Sequence, residues 1–593
     1  MIASSFPIVW PYVLATLATA LIASGVDDLV PTFICMWRFL FRRGPELPPS
    51  IPGPYRPERR IAIFVPCWKE SAVIERMIRH NQAAIRYRNF DFFLGVYPND
   101  EATLDAVERL AHVFRNVHAA CCPHPGPTSK ADCLNWIYQR MLLYEDDQGV
   151  TFDTVVMHDA EDMIHPEALA LIDRHSDFYD MVQVPVLPLP TSFVEFTHGI
   201  YIDDFAEYQS IDVPSRQFSG SFLPSNGVGT AFSRRLLSRL ASERGNRIFE
   251  PASLTEDYEC GLTIHQLGFS QVFTGLCGRK NNVTATREYF PRAFWPAVRQ
   301  RTRWVMGIAP QSWERNGWRG PWLNRYWFWR DRKGLIANPL GFAANLFFAA
   351  GVVDGIASQI AHRPWAFAVH SGTIQTLCVA TLALQCVRLG IRMLCVARWF
   401  GPVCAAGVPL RAGYANLINC VATFRAVFGY VKARVMGLPL AWLKTEHAYP
   451  NREALRFHRR DLAEVLVGAG YLDREMLLLI QERARGEDLA DFLVQHGLLS
   501  DESVCEAISL QSGLPAVYVN PSEVNLNVVR ALPAHIERRF RVLAFRLEAG
   551  RLYVAGPKPP PPVLVQELKE LTTLPVEFQL ITWRNYLQLR ELF

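Results

Sequence analysis

The sequence predicts an α/β domain with a mostly parallel sheet, set between apolar helices long enough to cross a membrane and followed by a smaller soluble α+β tail. Three observations predict it. Short apolar strands alternate with helical stretches from Ile61 onward, the pattern of a parallel sheet with helices on both faces. Residues 6–26, 337–360 and 365–387 are long apolar runs. The run Thr154-Val155-Val156-Met157 stops at Asp159, Glu161 and Asp162, as a buried parallel strand does when its carboxyl edge carries a site.

With 593 residues the chain has room for two to four domains. Half of it is hydrophobic and 12% aromatic, high for a purely soluble protein. A net charge of +4 is too mild to suggest nucleic acid as a partner. Thirteen scattered cysteines include no Cys-x-x-Cys pair. That argues against a zinc centre or a disulfide framework and for a reducing compartment.

In chain order, residues 6–26 carry no charged side chain and no Lys or Arg precedes them, while Arg38, Arg42 and Arg43 follow. The positive-inside rule then sets the amino terminus outside and the next segment in the cytoplasm. A Pro-rich linker, 45–57, leads to expected strands at 61–65, 92–97, 153–158 and 181–187, with a helix over 72–84. Two further spans are joined by His362-Arg363-Pro364, and Arg388, Arg392 and Arg398 return the chain inside. Residues 411–434 place Tyr414, Leu417, Ile418, Val421, Phe424, Phe428 and Val431 at helical spacing, which predicts a helix lying in the membrane interface. The tail contains an imperfect repeat, Asp461 to Leu472 and Asp488 to Leu499, each a short helix followed by a new helix start. Strands at 541–546 and 551–554 and a helix from Val563 complete it. The expected organisation is thus a membrane anchor (1–45), a cytoplasmic catalytic domain (55–330), two membrane helices (334–390), an interfacial helical region (391–450) and the tail (455–593).

Six short segments bear chemistry, in this order: Pro66 to Glu70, Asn99-Asp100-Glu101, Ser129 to Asn135 with Lys130, His158 to Asp162, Thr255-Glu256-Asp257-Tyr258, and Gln300 to Trp304. Clustered carboxylates repel unless a cation lies between them, and hard cations prefer oxygen ligands. The ordered set resembles the processive, membrane-embedded family-two glycosyltransferases, which include cellulose, chitin and hyaluronan synthases. The resemblance implies a GT-A-like nucleotide-sugar-binding fold. It implies donor contacts from Pro66, Glu70, Asp100 (to the nucleoside), Lys130 (to the diphosphate) and Asp159. It further implies a metal, Mg2+ or Mn2+, at Asp159 and Glu161, a base at Asp257, and closure of the site by Gln300, Arg303 and Trp304. The family's second metal-site Asp is Glu161 here, with Asp162 beside it, and either could supply the ligand. Physical chemistry asks for the same parts: a departing diphosphate needs a divalent cation and a fixed positive charge.

Gly25-Val26-Asp27-Asp28-Leu29, His158–Asp162 and Pro439 to His447 are similar to the bacterial phage-adsorption protein B (NfrB-like) group, as is the presence of the tail. That tail resembles the amino-terminal domain of type II secretion ATPases (MshEN-like). The likeness implies a multi-pass bacterial inner-membrane enzyme with cytoplasmic catalytic and tail domains. It would transfer sugar, with inversion and metal dependence, from a nucleotide sugar (a UDP-sugar as first choice) to a growing surface or exopolysaccharide that a phage exploits. Membrane lipid and an outer-membrane export partner are implied as well. Asp354, His370, Gln375 and Gln385, polar groups inside expected spans, would then line a route for the glycan. Two alternatives stay open: a catalytically idle scaffold that docks an outer-membrane partner, and single-sugar transfer to a lipid carrier. Related tails bind cyclic di-GMP through Arg-Leu-Gly openings and a later Gln. Here the openings are Asp461-Leu462-Ala463 and Asp488-Leu489-Ala490, with Ala484 and Gln511 at the Gln positions, so cyclic di-GMP binding is expected to be weak or absent.

Overall fold

The structure is a computed structural model that describes residues 2–41, 57–275, 283–438, 440 and, with short breaks, 461–591. The Pro45–Pro57 linker, apart from its last residue, and nearly all of Pro439 to His447 lie outside the described residues. The chain divides into two compact units, one holding most of residues 1–450 and the other the tail.

Among the described residues the first unit has nine strands: β1 (Ile61–Pro66), β2 (Phe90–Val96), β3 (Val117–Cys121), β4 (Thr154–Met157), β5 (Met181–Gln183), β6 (Val186–Pro188), β7 (Thr230–Ser233), β8 (Gln271–Phe273) and β9 (Thr286–Glu288). Seven of them form one sheet in the order β3-β2-β1-β4-β7-β5-β8, parallel except at β7, and β6 pairs with β9 separately. β2 and β4 are buried throughout and β1 nearly so, which is why they read as continuous apolar runs rather than alternating ones. Helices Glu101–Val113 and Lys130–Gln148 follow β2 and β3.

The single strand expected over 181–187 is two. Pro185 has no N–H to continue the ladder, so β5 stops at Gln183, and Pro185 O accepts from Thr286 N at 2.8 Å to begin the β6–β9 pair. β7, which runs antiparallel between β4 and β5, is only four residues long and gives no periodic signal.

Among the described residues three helices are long and apolar enough to cross a membrane, with spans at Trp10–Arg38, Gly334–Ile360 and Gly372–Phe400. The first helix, Ile2–Phe41, does not end near Val26 but runs on through Asp27 and Asp28. Those two carboxylates are matched by cations from other helices. Lys333 Nζ lies 2.6 Å from Asp27 and also bonds Asp28, Arg330 lies 3.1 Å from Asp27, and Arg388 lies 2.9 Å from Asp28. The third helix begins at Gly372 rather than Trp365. Residues 365–371 fold back as a loop in which Trp365 Nε1 donates to Gly351 O at 3.0 Å. Asp354 belongs to that turn, bonded to Arg363 at 2.5 Å and to Ala366 N at 2.8 Å, and Gln375 Nε2 donates to Val369 O at 2.7 Å. Asp354 and Gln375 therefore close a loop, and His370 lies in it outside the helix, whereas Gln385 lies within the third long helix.

Helix Val408–Met436 is packed along one side and open on the other. Ile418, Ala422 and Ala426 are fully buried, while Phe424, Phe428 and Val431 are exposed. Its buried Arg411 makes a two-point ion pair with Asp203, at 2.8 and 2.6 Å.

In the tail, the repeat forms helices Leu462–Gly468 and Arg474–Arg483, then Leu489–Gln495 and Asp501–Ser512. Their apolar faces make one core with Leu466, Leu493 and Ala507 at its centre. Strands β10 (Leu543–Glu548), β11 (Arg551–Gly556) and β12 (Val576–Leu580) form a second sheet, antiparallel then parallel, with helix Pro562–Leu571 crossing between the last two. β12 was not anticipated from sequence.

Candidate active site

Three strand ends stand level at one edge of the sheet. Phe64 of β1 is in register with Phe93 of β2 and Met157 of β4, so the residues after Pro66, Val96 and Met157 emerge together. This is the carboxyl edge, where open α/β sheets bind ligands. A cavity there is lined by Pro66, Trp68, Glu70, Tyr97, Lys130, Asp159, Glu161 and Arg303, among others.

The loop after β1 is shaped by Asp100. Lys69 adopts the left-handed region at φ 56°, and its N–H donates to Asp100 Oδ2 at 2.5 Å, while Glu70 N donates to Thr103 Oγ1 at 3.0 Å. Asp100 is thus buried behind the cavity wall rather than lining it. Helix Lys130–Gln148 starts at Ser129, whose Oγ accepts from Asp132 N at 3.2 Å. It packs closely on β2: a Cβ on Gly95 would stand 2.5 Å from Cys133 Sγ, so only glycine fits there. The helix start aims Lys130 into the cavity, where Nζ meets Asp159 Oδ1 at 2.5 Å. Burial alone would favour the neutral amine, but Asp159 and then Glu256 overcome it and raise the Lys130 pKa above its ordinary value. Asn135 acts elsewhere: its Oδ1 accepts from Ile248 N and Phe249 N, both at 2.9 Å, holding the loop that leads to Asp257.

Beyond β4 the three acids take different positions. Asp159 and Glu161 face the cavity. Asp162 is fully buried, with Oδ2 standing 2.7 Å from His158 Nδ1 and accepting from Asp159 N at 3.0 Å. Burial pushes the Asp162 pKa up to about 6 against the opposing pull of His158. Met163 and Arg287 exchange backbone hydrogen bonds of 2.8 and 3.1 Å, which brings β9 beside the acidic stretch. Glu288, the next residue, is held far above the usual carboxylate range by burial and then by Asp162, Glu161 and Asp159. Sequence reading missed Glu288, since a lone acid brought in by a bridge across more than a hundred residues leaves no local signal.

Asp257 stands in the first turn of helix Glu256–Gln266, where Tyr258 N donates to its Oδ1 at 2.8 Å. Gly227 lies against it at φ +77°, and a Cβ there would come within 2.8 Å of Asp257 Oδ2. Burial raises the Asp257 pKa, and Lys130 and Arg303 pull it back. Its neighbour Glu256 is pushed up to about 7, by burial first and Asp257 second. Helix Phe294–Met306 brings Arg303 to the cavity. Gln300 and Trp304 do not line it: Gln300 Oε1 is buried with no hydrogen-bond partner among the described residues, and Trp304 packs edge-on against Tyr201 at 6.1 Å. Arg301, in the same motif, bonds Asp204 and Asn419, both at 2.7 Å.

The donor set suits a hard divalent cation shared with a substrate. No group of three or more His, Cys, Asp or Glu able to hold a metal unaided occurs among the described residues. Asp159 and Glu161 instead offer carboxylate oxygens at the cavity wall, and Mg2+ in particular is commonly held by one or two carboxylates plus substrate phosphates.

Residues 57–307 match the family described as glycosyltransferase like family 2. Bacteriophage adsorption protein B of Escherichia coli K12 is 32% identical over 570 residues, 91% of this chain and 76% of that protein. The type IV pilus assembly ATPase PilB of Thermus thermophilus is 35% identical over 120 residues, 20% of this chain and 14% of PilB. The carboxyl-terminal part is structurally similar to the amino-terminal domains of MshE and XpsE. Among solved structures, the mannosyltransferase PcManGT of Pyrobaculum calidifontis, in complex with GDP-Man and Mn2+, aligns with TM-score 0.42 and 17% identity over 68% of this chain and 99% of that one. The chain belongs to the bacteriophage adsorption protein B family, as a family-2 glycosyltransferase of GT-A-like fold with an MshE-like tail.

Proposed function

We propose that this glycosyltransferase moves a sugar from a nucleotide donor, a UDP-sugar by preference, to a growing surface glycan by direct displacement with inversion. The observation that carries the reading is the charge balance of one cleft. Asp159, Glu161, Asp162, Glu256, Asp257 and Glu288 gather around Lys130 and Arg303. So many carboxylates in one place are relieved by protonation or by a further cation, and a metal-bound diphosphate supplies the latter.

In this reading Asp159 and Glu161 would hold the cation, and Lys130, now paired with Asp159, would meet the donor diphosphate. Bound Mg2+ or Mn2+ would offset the charge that develops on the departing diphosphate. Glu161 is preferred to Asp162 as the second ligand, because Asp162 is already engaged with His158 and the Asp159 N–H. The acceptor oxygen attacks the anomeric carbon, the bond to the diphosphate breaks, and Asp257 takes the hydroxyl proton. Arg303 faces the same diphosphate. Asp100 contributes by shaping the Lys69–Glu70 turn against which the nucleoside would lie. Gln300 and Trp304 support the Arg303 helix from behind. One base and no evident covalent nucleophile make a single displacement the simpler course.

Arg38, Arg388, Arg392 and Arg398 favour a multi-pass inner-membrane enzyme with its catalytic domain and tail in the cytoplasm. The exposed side of helix Val408–Met436 would rest in the lipid interface, and an outer-membrane partner would export the product. The tail serves docking or regulation, with weak or absent cyclic di-GMP binding.

The test uses membranes carrying the full chain, incubated with radiolabelled UDP-glucose, UDP-N-acetylglucosamine and GDP-mannose, with Mg2+ or with EDTA. Asp257→Asn should lower incorporation by roughly 10²–10⁴-fold without affecting membrane insertion. Incorporation that survives Asp257→Asn would overturn the assignment, and its absence from the wild type would favour the scaffold reading.

A further inference from the structure

The helix that carries Asp257 is gripped from behind by a buried polar clamp. The Tyr258 hydroxyl donates to Asp331 Oδ2 at 2.7 Å, and Asp331 Oδ1 accepts from Arg216 Nη2 at 2.5 Å. Arg216 is 3% exposed, and its guanidinium lies over the Trp327 ring at 4.6 Å and the Phe222 ring at 4.9 Å. Phe222 in turn meets Tyr258 edge-on at 5.7 Å and Phe328 at 5.5 Å. The clamp therefore joins helices Val213–Phe218, Glu256–Gln266 and Trp322–Arg332.

Burying an arginine and an aspartate is costly, and replacing such a pair with apolar groups is often neutral or stabilising, so stability is a weak reason for its presence here. Direction is a better one. Tyr258 N–H donates to Asp257 Oδ1 at 2.8 Å, so a fixed Tyr258 fixes one oxygen of the carboxylate, while Gly227 stands against the other. With its ring packed on Phe222 and its hydroxyl bonded to a charged acceptor, Tyr258 leaves the first turn of the helix little rotational freedom. The residues flanking Asp331 extend the hold: Arg330 pairs with Asp27 and Asp212, and Lys333 with Asp27 and Asp28. One helix end thus grips both the base helix and the first membrane-length helix.

We propose that Asp331 is a positioning residue for glycosyl transfer: paired with Arg216, it locks Tyr258 and through it the Asp257 carboxylate that receives the acceptor proton. The inference rests on the reading of Asp257 as the base. Misplacing a reacting group by about 1 Å can cost on the order of a hundredfold in rate, so loosening the clamp should reduce turnover rather than donor affinity.

The experiment uses the full chain in membranes, with the nucleotide sugar that the wild type incorporates. Tyr258→Phe removes one oxygen and leaves the ring packing intact, and Asp331→Asn keeps the shape and removes the charge. In both, kcat should fall by roughly tenfold or more while KM for the nucleotide sugar changes by less than about twofold. Asp331→Asn, which leaves Arg216 without its counter-charge, should lose more than Tyr258→Phe. An unchanged kcat in Tyr258→Phe, with Asp331→Asn lowering only the melting temperature, would reduce the clamp to a structural role and sink the proposal. So would a structure of Tyr258→Phe in which Asp257 has not moved, a readout that needs no donor. The two readings fail separately: transfer that survives Asp257→Asn removes the base, whereas loss in Asp257→Asn alone removes only the clamp.

Discussion

Two acidic pairs in the first unit use neighbouring carboxylates to opposite ends. Asp27 and Asp28, adjacent in the first long helix, are met by Arg330, Lys333 and Arg388, so positive charge matches or exceeds negative. Asp159 and Glu161 belong to a group of buried and partly buried carboxylates that act on one another, with Lys130 and Arg303 opposing them. The first arrangement is complete and needs nothing further. The second is stable only with some carboxyls protonated or with a cation supplied from outside, and a substrate diphosphate that brings its own metal fits that need. Proximity of carboxylates says little about function; the balance around them says much more.

That comparison can be broken most severely at Lys130. Lys130→Met keeps much of the side-chain length and removes the charge that opposes Asp159, Glu256 and Asp257. Glycosyl transfer should fall by roughly 10²–10³-fold, through loss of the fixed charge on the leaving group. Membrane insertion should be unaffected. Near-wild-type transfer in this variant would mean that the cleft needs no fixed cation, and the contrast with the Asp27–Asp28 pair would lose its point.

A smaller effect of another kind is expected at the balanced pair. Asp28→Asn leaves Lys333 with Asp27 but deprives Arg388 of its ion-pair partner. Breaking one partner of a partly buried pair should cost about 1–3 kcal/mol, seen as a lower melting temperature of the purified full chain. KM for the nucleotide sugar should stay the same. A change in KM at unchanged stability would show that the network reports to the cleft rather than holding helices together.

How much of this was legible beforehand follows from the range of each interaction. β1, β2 and β4 and the acids that end them are local features: a buried run, then a turn with charge. Ser129 and Lys130 were legible for the same reason, as a helix cap followed by its first residue. What stayed hidden came from distant partners. Glu288 reaches the acids only through the Met163–Arg287 bridge, and Asp331 reaches Tyr258 across some seventy residues. Motif order points Asp100 to the donor and Glu161 or Asp162 to the metal but carries no information on which way a side chain turns; in the structure Asp100 accepts from Lys69 N and Asp162 meets His158. Apolarity likewise marked the third long helix but not its start, because Trp365 is as apolar as a membrane residue yet closes a loop against Gly351.

The smallest effect belongs to a third acidic pair, in the tail. Asp488 caps helix Leu489–Gln495, its Oδ1 accepting from Ala490 N at 3.1 Å and Asp491 N at 3.2 Å. Lys558 completes the group, 3.1 Å from Asp488 and 2.7 Å from Asp491. These side chains are between about a third and a half exposed, so the pairs are worth roughly 0.2–1 kcal/mol, and Lys558→Ala should shift the melting temperature by a few degrees at most. The position matters more for what it excludes. An arginine opening this helix could grip a guanine edge or a phosphate at two points, whereas a carboxylate engaged in capping offers an anionic ligand only repulsion. Losing one such charge-assisted contact costs roughly 1.5–3 kcal/mol, and the first repeat also has an aspartate, Asp461, where an arginine would be needed, so affinity should fall by on the order of a hundredfold or more. Calorimetric titration of the full chain with cyclic di-GMP should therefore give no binding up to about 100 μM. Micromolar binding that disappears in Arg483→Ala would show that a neighbouring arginine had taken over the role, and would place this acidic pair with the donor cleft, as a site awaiting its ligand.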